Sequence, residues 1–509
     1  MSRQPYLSAV NERVIVFDGA FGTFVQDLDL GPDDFGGASL EGCNEYLCIT
    51  RPDVIRQMHS AFLDVGVDVL ETASFGSFST VLSEYNISDK AYELNVEAAR
   101  LARETANDYE SSGKARYVAG SIGPGTKLPS LGHIRFTELR DAYVEQARGL
   151  IVGGADLFLI ETCMDLLQIK AAMIACRQAM VAEGRQIPIQ VQVTMETTGR
   201  MLVGSEIGAA LTAISAMKPD VFGINCATGP AEMQEHLRHL SQNASMPISV
   251  LPNAGLPSIV DGRTHYDLTP AELAKFHHHH VHDLGIGIVG GCCGTTPAHL
   301  KAVVDAVSGM AAPKRTPIDE PSVSSIYSSV PMVQDKSFLI IGERTNTNGS
   351  KAFRDAMIAG EWDNCSKIAT EQIREGAHVL DVCVDYVGRD GAIDMDEIAS
   401  RFATQASVPL VLDSTEPQVL EAGLMHIGGR AILNSANLED GEEVGCRMDR
   451  VFSLAREYGC AVICLLIDER GQARDVEWKL EIAHRIHRIA VDRYGLSASD
   501  LIFDALTFP

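Results

Sequence analysis

IGIVGGCCGTTP, residues 286–297, is an apolar, β-branched run that ends in two glycines and then two adjacent cysteines. A short apolar run closed by glycine reads as a buried strand, so both thiols fall on the turn that leaves it. Seven earlier segments share the form: VIVFDGAFGT (14–23), VDVLETASFG (67–76), YVAGSIGPG (117–125), DLFLIETC (156–163), IPIQVQVTME (187–196), DVFGINCATGP (220–230) and PISVLPNAG (247–255). Stretches of helical period separate them. One is RPDVIRQMHSAFLDVG, with Pro52 at a first helical position; another is TPAELAKF, where Thr269 and Glu272 have capping-box spacing. Eight such alternations in about 300 residues predict a (β/α)8 barrel, whose chemistry gathers at the C-terminal strand ends. Those ends carry Asp18, Glu71, Glu161, Glu196, Cys226, Asn253, Cys292 and Cys293.

The texture changes after Met310. AAPKRTPIDEPSVSSIYSSVPMVQDK is rich in proline and serine and has no clear period, which reads as an interdomain linker. Six further strand-like runs follow it: SFLIIGERTNTNGS, AHVLDVCVD, VPLVLDSTEP, RAILNSANL, CAVICLLID and DLIFDALTFP. The expected architecture is α/β, with two TIM-type barrels in tandem. Residues 1–308 form the first, 309–335 the linker, and 336–509 a second barrel that stops after about six strands. On this reading the sequence is a piece of a longer protein.

Composition narrows the chemistry. Of 509 residues, 46% are hydrophobic and 22% charged, an ordinary globular balance. A formal charge of −26 repels phosphate backbones and anionic lipid, which argues against nucleic-acid and membrane-surface binding. The N-terminus has no signal-peptide apolar core, and a cytoplasmic location is expected. In a reducing compartment the twelve cysteines serve as core residues, ligands or nucleophiles rather than disulfides.

In a barrel the ends of strands six and eight reach the same mouth, so Cys226 can meet Cys292 and Cys293. Three thiolates form a soft site suited to Zn²⁺, with the fourth tetrahedral position open, the pattern of catalytic rather than structural zinc. If the incoming ligand is itself a thiol, zinc delivers it as thiolate at neutral pH. The implied reaction is transfer of an electrophilic group to sulfur.

DGAFGT, GINCATGP and GGCCGTTP together resemble the zinc-dependent homocysteine S-methyltransferase domain, and the half that contains IGERTNTNGS resembles the pterin-binding domain. In this order the two resemble the N-terminal half of the cobalamin-dependent methionine synthases. The resemblance implies Cys226, Cys292 and Cys293 as zinc ligands and catalytic residues, with Asn253 in the fourth position while substrate is absent. It implies that Asp18 and Glu161 hold the homocysteine amine, with the Gly19 and Ala20 backbone near its carboxylate. For the second domain it implies methyltetrahydrofolate. Asp381, Asp413, Asn434 and Asp504, all polar groups at strand ends, are the candidates for pterin contacts. The chain departs from some relatives in having Cys383 where they have Asn, and Asp504, Ala505 and Leu506 where they have Asp-Pro-Asn. The methyl group would pass through cobalamin. No D-x-H-x-x-G corrinoid signature occurs here, so cobalamin must come from a module outside this chain or from solution.

Plainer readings stand beside these. An isolated cysteine pair is more often a packed turn than a ligand set, and each acid could be a cap or an ion-paired group. The run His277–His282 supplies i,i+4 pairs, but it falls on the helix before strand eight, away from the expected mouth, and reads as a solvated face or an engineered tag. Two alternatives to the cobalamin-linked enzyme remain: a homocysteine S-methyltransferase that uses a sulfonium or betaine donor, and a non-enzymatic zinc and thiol binder.

Overall fold

A computed structural model of the chain describes residues 3–110, 114–260, 263–318 and 320–507. The eight expected runs become eight parallel strands: Ile15–Val16 (β1), Val69–Glu71 (β2), Tyr117–Ile122 (β3), Leu157–Cys163 (β4), Ile189–Val193 (β5), Val221–Asn225 (β6), Ile248–Leu251 (β7) and Ile288–Val289 (β8). Each pairs with its neighbour in sequence, and β8 returns to β1. A bridge between Phe17 and Val69 joins β1 to β2 and completes the ring. Alternate residues point inward: Leu157 and Leu159 of β4 pack with Ile15, Phe17, Val69, Tyr117, Ala119, Val221, Leu251 and Ile288 in the barrel centre. Phe158 and Ile160 face the surrounding helices. Pro52 starts the helix Pro52–Asp64, and Thr269 and Glu272 form the expected capping box on the helix Pro270–His282.

The later runs form a second parallel sheet, ordered as in sequence: Ile341–Gly342 (β9), Val379–Cys383 (β10), Leu410–Asp413 (β11), Ile432–Ala436 (β12), Ala461–Leu465 (β13) and Leu501–Asp504 (β14). This sheet curves as part of a barrel and remains open between β9 and β14. Phe338, just before β9, is 89% exposed.

The connector is more structured than its composition suggests. Residues Ser322–Ser324 and Ser329–Pro331 form a hairpin whose Val323 and Ile326 are buried. Arg430 donates to the Ser322 carbonyl (2.8 Å), Glu206 N–H donates to Tyr327 O (2.9 Å), and the Tyr327 hydroxyl donates to Thr404 O (2.6 Å). The serines satisfy backbone groups, and the two apolar residues between them anchor the hairpin. Beside it Lys170, on the helix Leu166–Glu183, is fully buried and donates to the carbonyls of Ile427 (3.1 Å) and Gly429 (2.6 Å). One apolar core runs through both halves. Among the described residues no helix is long and apolar enough to cross a membrane.

Candidate functional site

The Cys226, Cys292 and Cys293 sulfurs lie within 4.8 Å of one another at the C-terminal rim of the first barrel, and Cys226 Sγ is 3.8 Å from Cys293 Sγ. Tetrahedral Zn²⁺ with bonds of about 2.3 Å sets its sulfurs about 3.8 Å apart, so the donor set and spacing fit that ion. Backbone geometry explains the convergence. Cys226 and Ala227 both adopt positive φ (58° and 59°), turning the chain sharply as it leaves β6. Cys226 N–H donates to Leu251 O (3.1 Å) and Cys292 N–H to Pro252 O (2.8 Å), which ties the ends of β6 and β8 to the end of β7 between them. Hydrogen bonding to Cys226 and Cys292 draws the Cys293 thiol below the usual thiol range.

Asn253 sits on that middle segment, 3% exposed, and its Oδ1 has no hydrogen-bond partner among the described residues. A buried amide oxygen without a donor carries a desolvation cost, and a cation bound beside the thiols would relieve it. Tyr266, from the hairpin Pro257–Val260 and Arg263–Tyr266, packs on the turn that follows Cys293. Gly294 makes room for it: φ is +78°, and a Cβ there would stand 2.3 Å from the Tyr266 ring. His277 Nε2 donates to Gly290 O (2.7 Å) and steadies the strand end; burial pushes its pKa down to about 4 and keeps the ring neutral.

A second group of side chains faces the thiols across the rim. Glu161 continues the inward alternation of Leu157 and Leu159, and a bulge follows it, with Thr162 at φ 56° and the β4–β5 register shifting between Ile160 and Cys163. Asn225, the residue before Cys226, fastens the bulge: its Oδ1 accepts Thr162 N–H (2.8 Å), and its Nδ2 donates to Glu161 Oε2 (3.0 Å). Ser121 Oγ donates to the other Glu161 oxygen (2.5 Å). Asp18 accepts the Glu71 N–H (3.1 Å). Burial raises all three carboxyls. Glu161 is pushed up to about 7 despite hydrogen bonds from Ser121, Thr162 and Asn225, and Asp18 and Glu71 go well above their ordinary values, with the Glu161 charge adding to burial in both. Glu71 Oε1 is buried without a partner. Among the described residues no cation pairs with these three carboxyls, an arrangement that suits a positively charged group. Glu196, by contrast, closes a tight turn with Gly199 and Arg200 and joins none of these bonds.

In the second domain Asp381 on β10 and Asp413 on β11, offset diagonally in the register, are joined by Asn346, whose Nδ2 donates to both (2.8 and 3.1 Å). Burial and then the Asp413 charge push Asp381 up to about 7; burial and then Asp385 push Asp413 up to about 6. Asn434 is opposite Asp413 in the β11–β12 register. Asp504 is different: it is exposed at the open edge, and its carboxylate accepts the Leu506 N–H of its own loop (2.8 Å). Cys383, Cys460 and Cys464 are buried.

Sequence reasoning missed Ser121 and Asn225, which hold Glu161, and two further residues. Tyr266 arrives from a rim hairpin with no signature of its own. Asn346 stands in TNTN directly after β9, a polar run at a strand end that could have marked it.

The first half is thus a (β/α)8 barrel that presents three thiols and three carboxyls at one rim. The chain belongs to the homocysteine S-methyltransferase family, whose profile matches residues 15–307, and the pterin-binding enzyme profile matches residues 342–509. It is similar to the methionine synthases of Mycobacterium tuberculosis (51% identical over 502 residues) and Mycobacterium leprae (50% over 507). Each alignment covers 99% of this chain and 42% of the relative, so the chain spans less than half the length of these proteins. Among solved structures, the metallated form of the homocysteine methyltransferase MmuM from Escherichia coli aligns with 57% of this chain and 95% of its own, at 21% identity and a TM-score of 0.47.

Proposed function

We propose that this chain is the homocysteine- and methyltetrahydrofolate-binding part of a cobalamin-dependent methionine synthase, and that it binds one zinc through Cys226, Cys292 and Cys293. The observation that carries the reading is three thiols within 4.8 Å of one another, facing buried, cation-free carboxyls across one barrel rim. That pairing matches a small zwitterion that bears both a thiol and an ammonium group. Zinc, when bound, supplies Lewis acidity at the substrate sulfur and makes it a thiolate at neutral pH.

The chain's own groups do the rest. Asp18 and Glu161 hold the ammonium, and its charge draws both carboxyls into their ionised forms. The Gly19–Ala20 backbone leads into the helix Phe21–Gln26, whose first N–H groups lack intrahelical partners and suit the substrate carboxylate. Asn253 Oδ1, buried beside the thiols, would be a further donor to the zinc when substrate is absent. Tyr266 closes over the thiols and limits water. In the second domain Asp381 and Asp413, aligned by Asn346, accept N–H donors from the pterin edge, with Asn434 alongside. The methyl group would travel from methyltetrahydrofolate on cobalamin carried by a module outside this chain, and a cytoplasmic location accords with free thiols.

Zinc content and zinc-edge spectroscopy with and without homocysteine test this reading. Three sulfurs without substrate and four with it, accompanied by proton release, are expected. A stoichiometry near zero, or four protein sulfurs, would overturn it. Donors supplied singly to a corrinoid-free preparation separate it from a sulfonium- or betaine-dependent methyltransferase.

A further inference from the structure

Five histidines crowd the second half of the helix Pro270–His282, and the rim uses only one of them. The helix divides the set. His277 and His280 turn inward and are buried, His277 on Gly290 O and His280 within 3.0 Å of the Gln234 amide. His278, His279 and His282 face outward. His278 and His282 stand one turn apart with ring planes 11° from parallel and centroids 5.8 Å apart. Residues at i and i+4 share a helix face, and histidines at that spacing can offer nitrogens to one ion.

Asp283 completes the arrangement. Its two oxygens accept from Nδ1 of His282 (2.7 Å) and of His279 (2.5 Å). A carboxylate at Nδ1 fixes the tautomer that keeps a lone pair on Nε2, as carboxylates do behind metal-ligating histidines. The same side chains, with Glu272 and Lys275, line a surface recess of about 690 Å³. Two wider features favour a cation there. The recess lies at the last turn of the helix, where unpaired carbonyls concentrate negative charge, and the whole chain carries a formal charge of −26. Because the helix runs back down the barrel after β7, this turn is at the end opposite the thiols.

We propose that His278 and His282, backed by Asp283, form a second metal site, a two-imidazole chelate for a borderline divalent transition cation such as nickel, copper(II) or zinc, completed by water. It is not a three-ligand cage: among the described residues the thiol cluster is the sole place where three such ligands converge. The site is independent of the reading of the rim.

The probe is Ni²⁺, added by equilibrium dialysis to the zinc-loaded full chain, with nickel-edge absorption spectroscopy on the bound fraction. One equivalent in imidazole nitrogen and water, without sulfur, is expected from the unsubstituted protein. The double variant His278→Gln, His282→Gln should lose that equivalent, and Asp283→Asn should weaken it by about 10- to 100-fold. Both histidines are exposed, and the spectrum of the unsubstituted protein does not depend on any variant folding. Equal nickel uptake by the double variant, a sulfur shell at the nickel edge, or loss of all bound nickel in Cys226→Ser would overturn the proposal.

Discussion

Glu161→Gln tests the amine receptor most directly, because the local hydrogen bonds can survive it. The glutamine carbonyl can keep the donation from Asn225, now made over 3.0 Å, while its amide donates to Ser121 Oγ, which turns from donor to acceptor. The bulge and the thiols should therefore stay in place, and zinc content should not change. What disappears is the negative charge facing the substrate ammonium. A charge-assisted bond in a desolvated pocket is worth about 2 to 3 kcal/mol, so the homocysteine dissociation constant should rise about 30- to 150-fold at pH 8. Stability should move the other way. A carboxyl raised from 4.5 to about 7 by folding contributes its stability in the protonated form, fully below pH 4.5, and loses it as pH rises through 7. At pH 8 the buried charge costs at most about 3 kcal/mol, which glutamine avoids. Titration calorimetry of homocysteine into zinc-loaded protein, paired with urea unfolding at pH 5 and pH 8, reads both effects. Unchanged affinity, or loss of zinc, would refute the assignment; a variant no more stable than the parent at pH 8 would refute the account of the buried charge.

Cys226→Ala should abolish zinc binding and methyl transfer together while the far-ultraviolet circular dichroism stays the same; retained stoichiometric zinc would show that the pair at 292 and 293 suffices. Asn346→Ala removes the donor shared by Asp381 and Asp413, and methyltetrahydrofolate affinity should fall by about 1 to 2 kcal/mol, measured by fluorescence titration. Lys170 is pushed down to about 8 by burial, so between pH 8 and 10.5 the unfolded chain holds a proton that the folded chain has shed, and stability should rise with pH there. Lys170→Met should remove that component, seen as a smaller change in urea midpoint between pH 8 and pH 10 than the parent shows; parallel curves would place the ammonium in water.

The strands were legible because each is a compact apolar run closed by a residue with chemistry, and all fourteen fall within the expected segments. Asp18, Glu161 and Cys226 could be placed at one mouth because barrel topology alone brings alternate strand ends together. Glu71 and Glu196 looked equivalent in sequence, yet one joins the carboxyl cluster and the other closes a turn, since the direction of a strand-end side chain depends on the last backbone torsions. Tyr266 was invisible for a related reason: its position on the turn after Cys293 is set by a rim hairpin, not by period. The connector misled through composition. Its serines and prolines read as a linker and say nothing of the hairpin that buried Val323 and Ile326 anchor within it.

The Asn225 side chain reaches from β6 to the bulge in β4, and a peptide bond joins Asn225 to Cys226. The contact that fixes the Glu161 carboxyl therefore also fixes the backbone that aims the Cys226 thiol. A substitution that shifts the Thr162 bulge should tilt Cys226 as well, so on the proposed reading amino-group selectivity and thiol geometry would not be separately tunable. For anyone retargeting this barrel to a different thiol, the accessible route is the Tyr266 hairpin, which touches the sulfur end alone; changes on the β4 side should be made together with compensation at position 225.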